Sequence, residues 1–227
     1  MHTQRRVETR CFLASQRKFP HENERLGFDQ QASAVITGVI LAGGLGRRMG
    51  GVDKGLQLLQ GRPLLHWVIE RFRPQVDRLL INANRHQEQY AAFGCEVISD
   101  LFPGFVGPLA GLHAALSTSR DDLVACVPCD SPFLPSELVP RLLDGLRSSG
   151  ASVAVARTVQ RRQPLFNLCR RDVLPGLTDF LIRGERKVDL WLSSLPVVEL
   201  TFTEASTFEN LNTHEDLSRG TLRTEGS

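Results

Sequence analysis

The chain has 227 residues, with 27 basic against 25 acidic side chains and a formal net charge of +2. That balance gives no global field to draw the protein onto nucleic acid or a lipid surface, so any useful positive charge must be local. The length suits one α/β domain with a sizeable core, and no run approaches the ~18 apolar residues of a membrane-spanning helix.

Residues 1–34 are polar, mixed in charge and without a period of 2 or 3.6, which predicts a disordered extension. Arg5 and Arg6 superficially resemble an export signal, but the apolar run after them, "CFLA", falls far short of the ~7–15 residues of a signal core. From Val35 the pattern changes. "AVITGVILA" predicts a buried strand, "RPLLHWVIERFR" a helix with Leu64, Leu65, Val68, Ile69 and Phe72 on one face, and "DRLLINA" a second strand. A helix over "RHQEQYAAFG" stopping at Gly94, a short strand "CEVISD", a helix "GPLAGLHAALSTS" and a buried strand "DLVACVP" follow. "PSELVPRLLDGLRSSG" sets Leu138, Leu142, Leu143 and Leu146 at helical spacing and ends at Gly150, before the strand "ASVAVA". The alternation predicts a single Rossmann-like α/β domain, its mainly parallel sheet covered by helices on both faces with right-handed crossovers.

Beyond Arg157 the regularity loosens. "QPLFNLCR" reads as a strand, "DVLPGLTDFLIRG" and "KVDLWLSSL" as helices with Pro175 interrupting or starting the first, and "PVVELTF" as a late strand. "NLNTHEDLSR" offers Thr213 as an N-cap with Asp216 three residues on. The domain is thus expected over 35–219, with 220–227 a flexible tail.

Five scattered cysteines, Cys11, Cys95, Cys126, Cys129 and Cys169, fit a reducing, cytoplasmic setting. Cys126 and Cys129 in "CVPCD" have no second pair at zinc-ligand spacing. A redox CxxC would open a helix, whereas Pro128 lies inside this one and Asp130, Ser131 and Pro132 follow.

The densest signal is "VILAGGLGRRMGGVDKGL", Val39 to Leu56, a Gly-rich basic loop leaving the first strand. In an open parallel sheet ligands bind at the carboxyl ends of strands where the strand order reverses. Gly43, Gly44 and Gly46 allow positive φ and close backbone approach, so successive N–H groups can converge on phosphate oxygens while Arg47, Arg48 and Lys54 add charge. The loop is not a P-loop, because Asp53 precedes Lys54 and Gly55 follows it. It is not a dinucleotide fingerprint either, because Met49 stands where the third glycine belongs.

The pattern LAGGxxxRMG with a downstream DKG resembles the nucleotidyltransferase signature, in which a nucleoside triphosphate is joined to a phosphorylated acceptor with release of pyrophosphate. "INANRHQE", "GPLAGL", "CVPCD" and "NLNTHEDL" stand in the order and approximate spacing of the molybdenum cofactor guanylyltransferase family, and the likeness spans residues 35 to 219. It implies that Arg48 and Lys54 hold the triphosphate, that Leu41, Ala42, Gly43, Gly44, Lys54, Asn82, Asp100 and Asp130 bind the nucleotide, and that Asp130 carries Mg²⁺. Asn210 and Asn212 would lie near the pterin or its phosphate. The residues alone allow plainer roles: Asp130 as an N-cap, Asn82 and Asp100 as loop or capping residues, Gly107 and Pro108 as a simple helix start rather than an anion site, and Asn210 and Asn212 as turn formers. His66, His86 and His113 are not at ligand spacing and read as surface or partly buried residues.

The resemblance implies GMP transfer from GTP to Mo-molybdopterin by a Mg²⁺-dependent, monomeric, cytoplasmic enzyme. It also implies contacts with molybdenum-insertion proteins and molybdoenzyme chaperones, and no role for nucleic acid or membrane. Two other readings stand beside it: a cytidylyl or sugar-1-phosphate nucleotidyltransferase sharing the LAGG loop, and a non-catalytic nucleotide- or cofactor-binding adaptor.

Overall fold

The computed structural model describes residues 34–44, 53–104, 107–211 and 216. The expected N-terminal extension, all but its last residue, and the expected tail lie outside that set. So do the loop residues Gly46, Arg47 and Arg48, together with Asn212 and the Thr213 cap.

Nine strands and six α-helices make up the described domain: β1 Ile36–Leu41, β2 Leu58–Leu59, β3 Arg62–Pro63, α1 Leu64–Phe72, β4 Arg78–Asn82, α2 Gln87–Ala91, β5 Glu96–Ile98, α3 Pro108–Thr118, β6 Leu123–Pro128, α4 Leu138–Ser149, β7 Val153–Arg157, β8 Arg162–Arg170, α5 Leu174–Ile182, α6 Val188–Ser193 and β9 Val197–Thr201. Seven strands form one sheet in the order β5-β4-β1-β6-β8-β7-β9, and β2 pairs with β3 in a small hairpin. β5, β4, β1 and β6 are mutually parallel, β8 runs against both β6 and β7, and β7 and β9 are parallel. The expected mainly parallel sheet is therefore present, with β8 reversed.

Alternation along β1 explains how one strand serves two cores. Ile36 and Ile40 pack with Leu65, Val68 and Phe72 of α1 and Leu138, Val139, Leu142 and Leu146 of α4. Val39 and Leu41 face the other side, with Leu109, Leu112 and Leu116 of α3, Leu177, Phe180 and Leu181 of α5 and Trp191 of α6. Because successive strand side chains point to opposite faces, a run buried along its whole length reads as continuously apolar, as β1 and β6 do.

Pro175 starts α5 rather than interrupting it: it lies in the first turn, where a helix leaves its N–H groups unpaired anyway. The β2–β3 hairpin escaped the sequence reading. Its turn residues Gln60 and Gly61 both have positive φ, and Gly61 was the available signal. α4 begins at Leu138, three residues later than its sequence pattern suggested, after Pro135 has ended its own turn.

Gly38 lies where β1 passes beneath α1. A Cβ there would come 2.8 Å from Phe72 Cε1 and 3.0 Å from Val76 Cγ2, and Phe72 is itself fully buried. Overpacking of this kind costs about 1–3 kcal/mol. Gly38→Ala is expected to lower the unfolding free energy by that amount, read as a lower urea midpoint at an unchanged slope of the transition; an unchanged midpoint would show that α1 moves away freely.

Candidate functional site

β1, β4 and β6 lie side by side and end together, and backbone hydrogen bonds carry the pairing past their ends. Ala42 N–H donates to the Asn82 carbonyl at 2.8 Å and Cys129 N–H to the Leu41 carbonyl at 3.2 Å. Ala83 N–H reaches the Ile98 carbonyl at 2.9 Å, which adds the end of β5. The sheet is entered on opposite faces by α1 and α3 on either side of β1, so strand order reverses there. That is where an open α/β sheet leaves a crevice.

At one end of the crevice stands Asp130, just past β6 and only 6% exposed. Lys54 donates from Nζ to its Oδ2 at 3.1 Å, while Oδ1 is buried with no hydrogen-bond partner among the described residues. The carboxylate therefore caps no helix. A buried carboxylate oxygen left unsatisfied is unfavourable unless something arrives to bind it. The surrounding chain holds the residue from both sides: Leu211 N–H donates to the Asp130 carbonyl at 2.8 Å, and Ser131 Oγ to Asn210 Oδ1 at 2.8 Å. The segment carrying Asn210 thus lies against the same strand end. Among the described residues no three His, Cys, Asp or Glu side chains converge as a metal cluster. A hard cation needs only one or two protein carboxylates when substrate phosphates and water complete its shell, and Asp130 with its free Oδ1 fits that requirement.

At the other end lie Asn82, closing β4, and Asp100, just beyond β5. Asn82 Nδ2 donates to Asp100 Oδ1 at 2.9 Å. Asn84, absent from the sequence-derived site, donates from Nδ2 to Asp100 Oδ2 at 2.8 Å and accepts the Asp100 backbone N–H on Oδ1 at 2.9 Å. Each carboxylate oxygen thus has one amide partner and one lone-pair direction left. Asp100 is half-buried and already bonded on both oxygens. Asn84 was legible only as the second Asn of "INANR", two residues from Asn82 and so on the same side of an extended segment.

Of the two uses expected of the loop glycines, the described ones show only close approach, at Gly43. Neither Gly43 nor Gly44 adopts a positive φ. Gly43 is needed for close approach, since a Cβ would lie 3.0 Å from Asn84 Nδ2 and 3.2 Å from Asn82 Oδ1. Gly111 of α3 serves the same end from below, because a Cβ there would fall on the Asn82 side chain and 2.7 Å from Leu41 Cδ2. Arg85 Nη2 reaches the Gly44 carbonyl at 3.4 Å, bringing a cation to the loop that the sequence reading passed over.

The CxxC pair is structural. Cys126 packs in the cluster on one face of the sheet and Cys129 in the cluster on the other. Burial pushes both thiols up, reinforced at Cys129 by Asp130 and Asp53. His113 is buried, not at the surface: Nε2 pairs with Thr178 Oγ1 at 3.0 Å, and desolvation pushes its pKa down. Alkylation at pH 8 is expected to leave Cys126, Cys129 and Cys169 unmodified until the protein is denatured, as peptide mass spectrometry would report. A Cys126–Cys129 disulfide formed in the native protein would contradict the placement.

Residues 38–197 match the MobA-like NTP transferase domain family. The chain is 46% identical over 182 residues to a molybdenum cofactor guanylyltransferase of Shewanella putrefaciens, covering 80% of this chain and 93% of the relative. It is 50% identical over 182 residues to one of Yersinia pseudotuberculosis, covering 80% and 92%. Among solved structures, molybdopterin-guanine dinucleotide biosynthesis protein A from Archaeoglobus fulgidus superposes with a TM-score of 0.71 at 27% identity, over 84% of this chain and all of that one. A 4-diphosphocytidyl-2C-methyl-D-erythritol synthase from Anaerococcus prevotii shares the fold, with a TM-score of 0.67 at 12% identity.

Proposed function

The chain belongs to the MobA-like NTP transferase family, and from that premise we infer that its crevice joins GMP from GTP to a molybdopterin phosphate. The protein is a molybdenum cofactor guanylyltransferase: it forms the guanine dinucleotide of the cofactor and releases pyrophosphate. The observation that carries the assignment of roles is the pairing at the end of β6, where one Asp130 oxygen faces the Lys54 ammonium and the other is buried with no partner among the described residues.

Lys54, and Arg48 on the adjoining loop, hold the triphosphate, and the backbone from Leu41 to Gly44 lies along the nucleotide. Asp130 carries Mg²⁺, which would neutralise charge on the triphosphate oxygens. The terminal phosphate of Mo-molybdopterin attacks the α-phosphorus of GTP in line; the new P–O bond forms as the bond to pyrophosphate breaks. A phosphate monoester has its second pKa near ~6, so the nucleophile is largely ionised at neutral pH and needs no general base. Catalysis is then positioning with electrostatic neutralisation, which suits a crevice built from a lysine, a carboxylate and backbone N–H groups. Asn210, beside Ser131, and Asn212 contact the acceptor from the C-terminal side.

Guanine selection rests on Asp100. Its carboxylate is oriented by Asn82 and Asn84, and its remaining lone pairs accept the N1–H and the N2 amine of guanine. Adenine and cytosine lack that donor pair. Because the two amides keep Asp100 satisfied with any base bound, discrimination is the loss of two hydrogen bonds to a charged acceptor rather than the stranding of a charge. At ~1.5–3 kcal/mol for each such bond, this exceeds the ~1.4 kcal/mol that makes a tenfold difference.

Measuring kcat/KM for GTP, ATP and CTP tests the set of roles. GTP is expected to be preferred at least tenfold, Asp100→Ala to narrow that preference, and Asp130→Asn to abolish turnover while leaving the melting temperature near that of the wild type. A wild-type preference for CTP would move the protein to the cytidylyl transferases. Full turnover by Asp130→Asn would remove the metal assignment.

A further inference from the structure

One side chain of the described core on the α1 and α4 face is an aromatic with a hydroxyl. The chain has a single tyrosine against 12 phenylalanines, and that tyrosine, Tyr90 of α2, is completely buried. Filling space in this cluster, which also holds Ala42, Ala83 and Leu134, would need no hydroxyl. The hydroxyl is used: Tyr90 Oη donates to Asp53 Oδ1, and Asp53 is itself only 7% exposed. Burial first, with the negative neighbours adding to it, pushes the phenol far up, so it stays a donor throughout the working pH range.

Asp53 immediately precedes Lys54 and opens the single helical turn that carries it, with Leu56 N–H donating to the Asp53 carbonyl at 3.2 Å. On the other side of Lys54, Gly55 rests on the same ring. A Cβ at Gly55 would lie 2.7 Å from Tyr90 Oη and 3.2 Å from Cε1, so the chain can cross here only as glycine. Tyr90 therefore holds the residue on each side of Lys54, one by a hydrogen bond and the other by close contact. What lies between them is the ammonium that reaches Asp130 at 3.1 Å.

We propose that Tyr90 is the positioning residue for Lys54: through Asp53 and Gly55 it sets where the ammonium stands relative to Asp130 and the incoming triphosphate. The inference rests on the reading of Lys54 as the triphosphate-holding cation. A long lysine chain has many rotamers, and its value as a preorganised charge depends on its backbone being fixed before the nucleotide arrives. A hydroxyl on a buried ring in a rigid cluster provides that fixed point, 37 residues away in sequence.

A double-mutant cycle on the full chain separates positioning from simple support of the fold. The quantities measured are the dissociation constant for GTP with magnesium, kcat/KM and the melting temperature. Tyr90→Phe, which removes one oxygen, is expected to weaken binding and kcat/KM about tenfold, the scale of one hydrogen bond to a charged group. In the Lys54→Ala background the same change should alter both by less than twofold, although its effect on melting temperature persists. Equal losses in both backgrounds, or no loss in either, would overturn the inference while leaving Lys54 in its role. If Lys54→Ala itself bound and turned over GTP normally, the reading of Lys54 would fail and the positioning role with it. Should Tyr90→Phe not fold, Asp53→Ala removes the acceptor of the same bond and enters the same cycle.

Discussion

A buried carboxylate facing a lysine across the crevice is the contact on which the site depends. Asp130 could not stand almost fully buried at the end of β6 without an opposite charge, and the Lys54 ammonium at 3.1 Å supplies it. The pair joins the loop after β1 to the end of β6, two segments 76 residues apart that the sheet makes neighbours. It satisfies one carboxylate oxygen and leaves the other without a hydrogen-bond partner among the described residues.

Around this contact the chain is short of freedom in particular places. Asp53 is tied to Tyr90 from below and Gly55 is pressed onto the same ring. Leu211 N–H and the Ser131–Asn210 bond tether the C-terminal segment to Asp130. At the opposite end, Asn82 and Asn84 hold Asp100 while Gly43 and Gly111 keep clear the space that those amides fill. The glycines here are needed for the volume they leave empty, and the polar side chains fill that volume in one orientation each. Groups fixed in this way need no reorganisation when a ligand arrives.

The sheet makes the convergence possible. β1 has β4 on one side and β6 on the other, with α1 and α3 on opposite faces, so the ends of three parallel strands lie side by side. The reversed β8, packed on β6, lies beyond this end and brings β7 and β9 into the same sheet. The same fold recurs at 12% identity in a 4-diphosphocytidyl-2C-methyl-D-erythritol synthase, and a shared fold by itself does not carry function.

The strands of the large sheet, the two-sided core and the place of Asp130 at the end of β6 were legible in the residues, because each follows from a local pattern. Periodicity reports which face a side chain occupies, whereas the short β2–β3 hairpin is too brief to show one. Tertiary structure alone decided that Tyr90 reaches Asp53, that Asn84 clamps Asp100, that Cys126 and Cys129 face opposite cores, and that Gly43 serves close approach instead of a positive φ. Each of these depends on which strands lie side by side and how closely their ends pack. That is settled by burying both faces of the sheet at once, and no window of sequence contains both partners of such a contact.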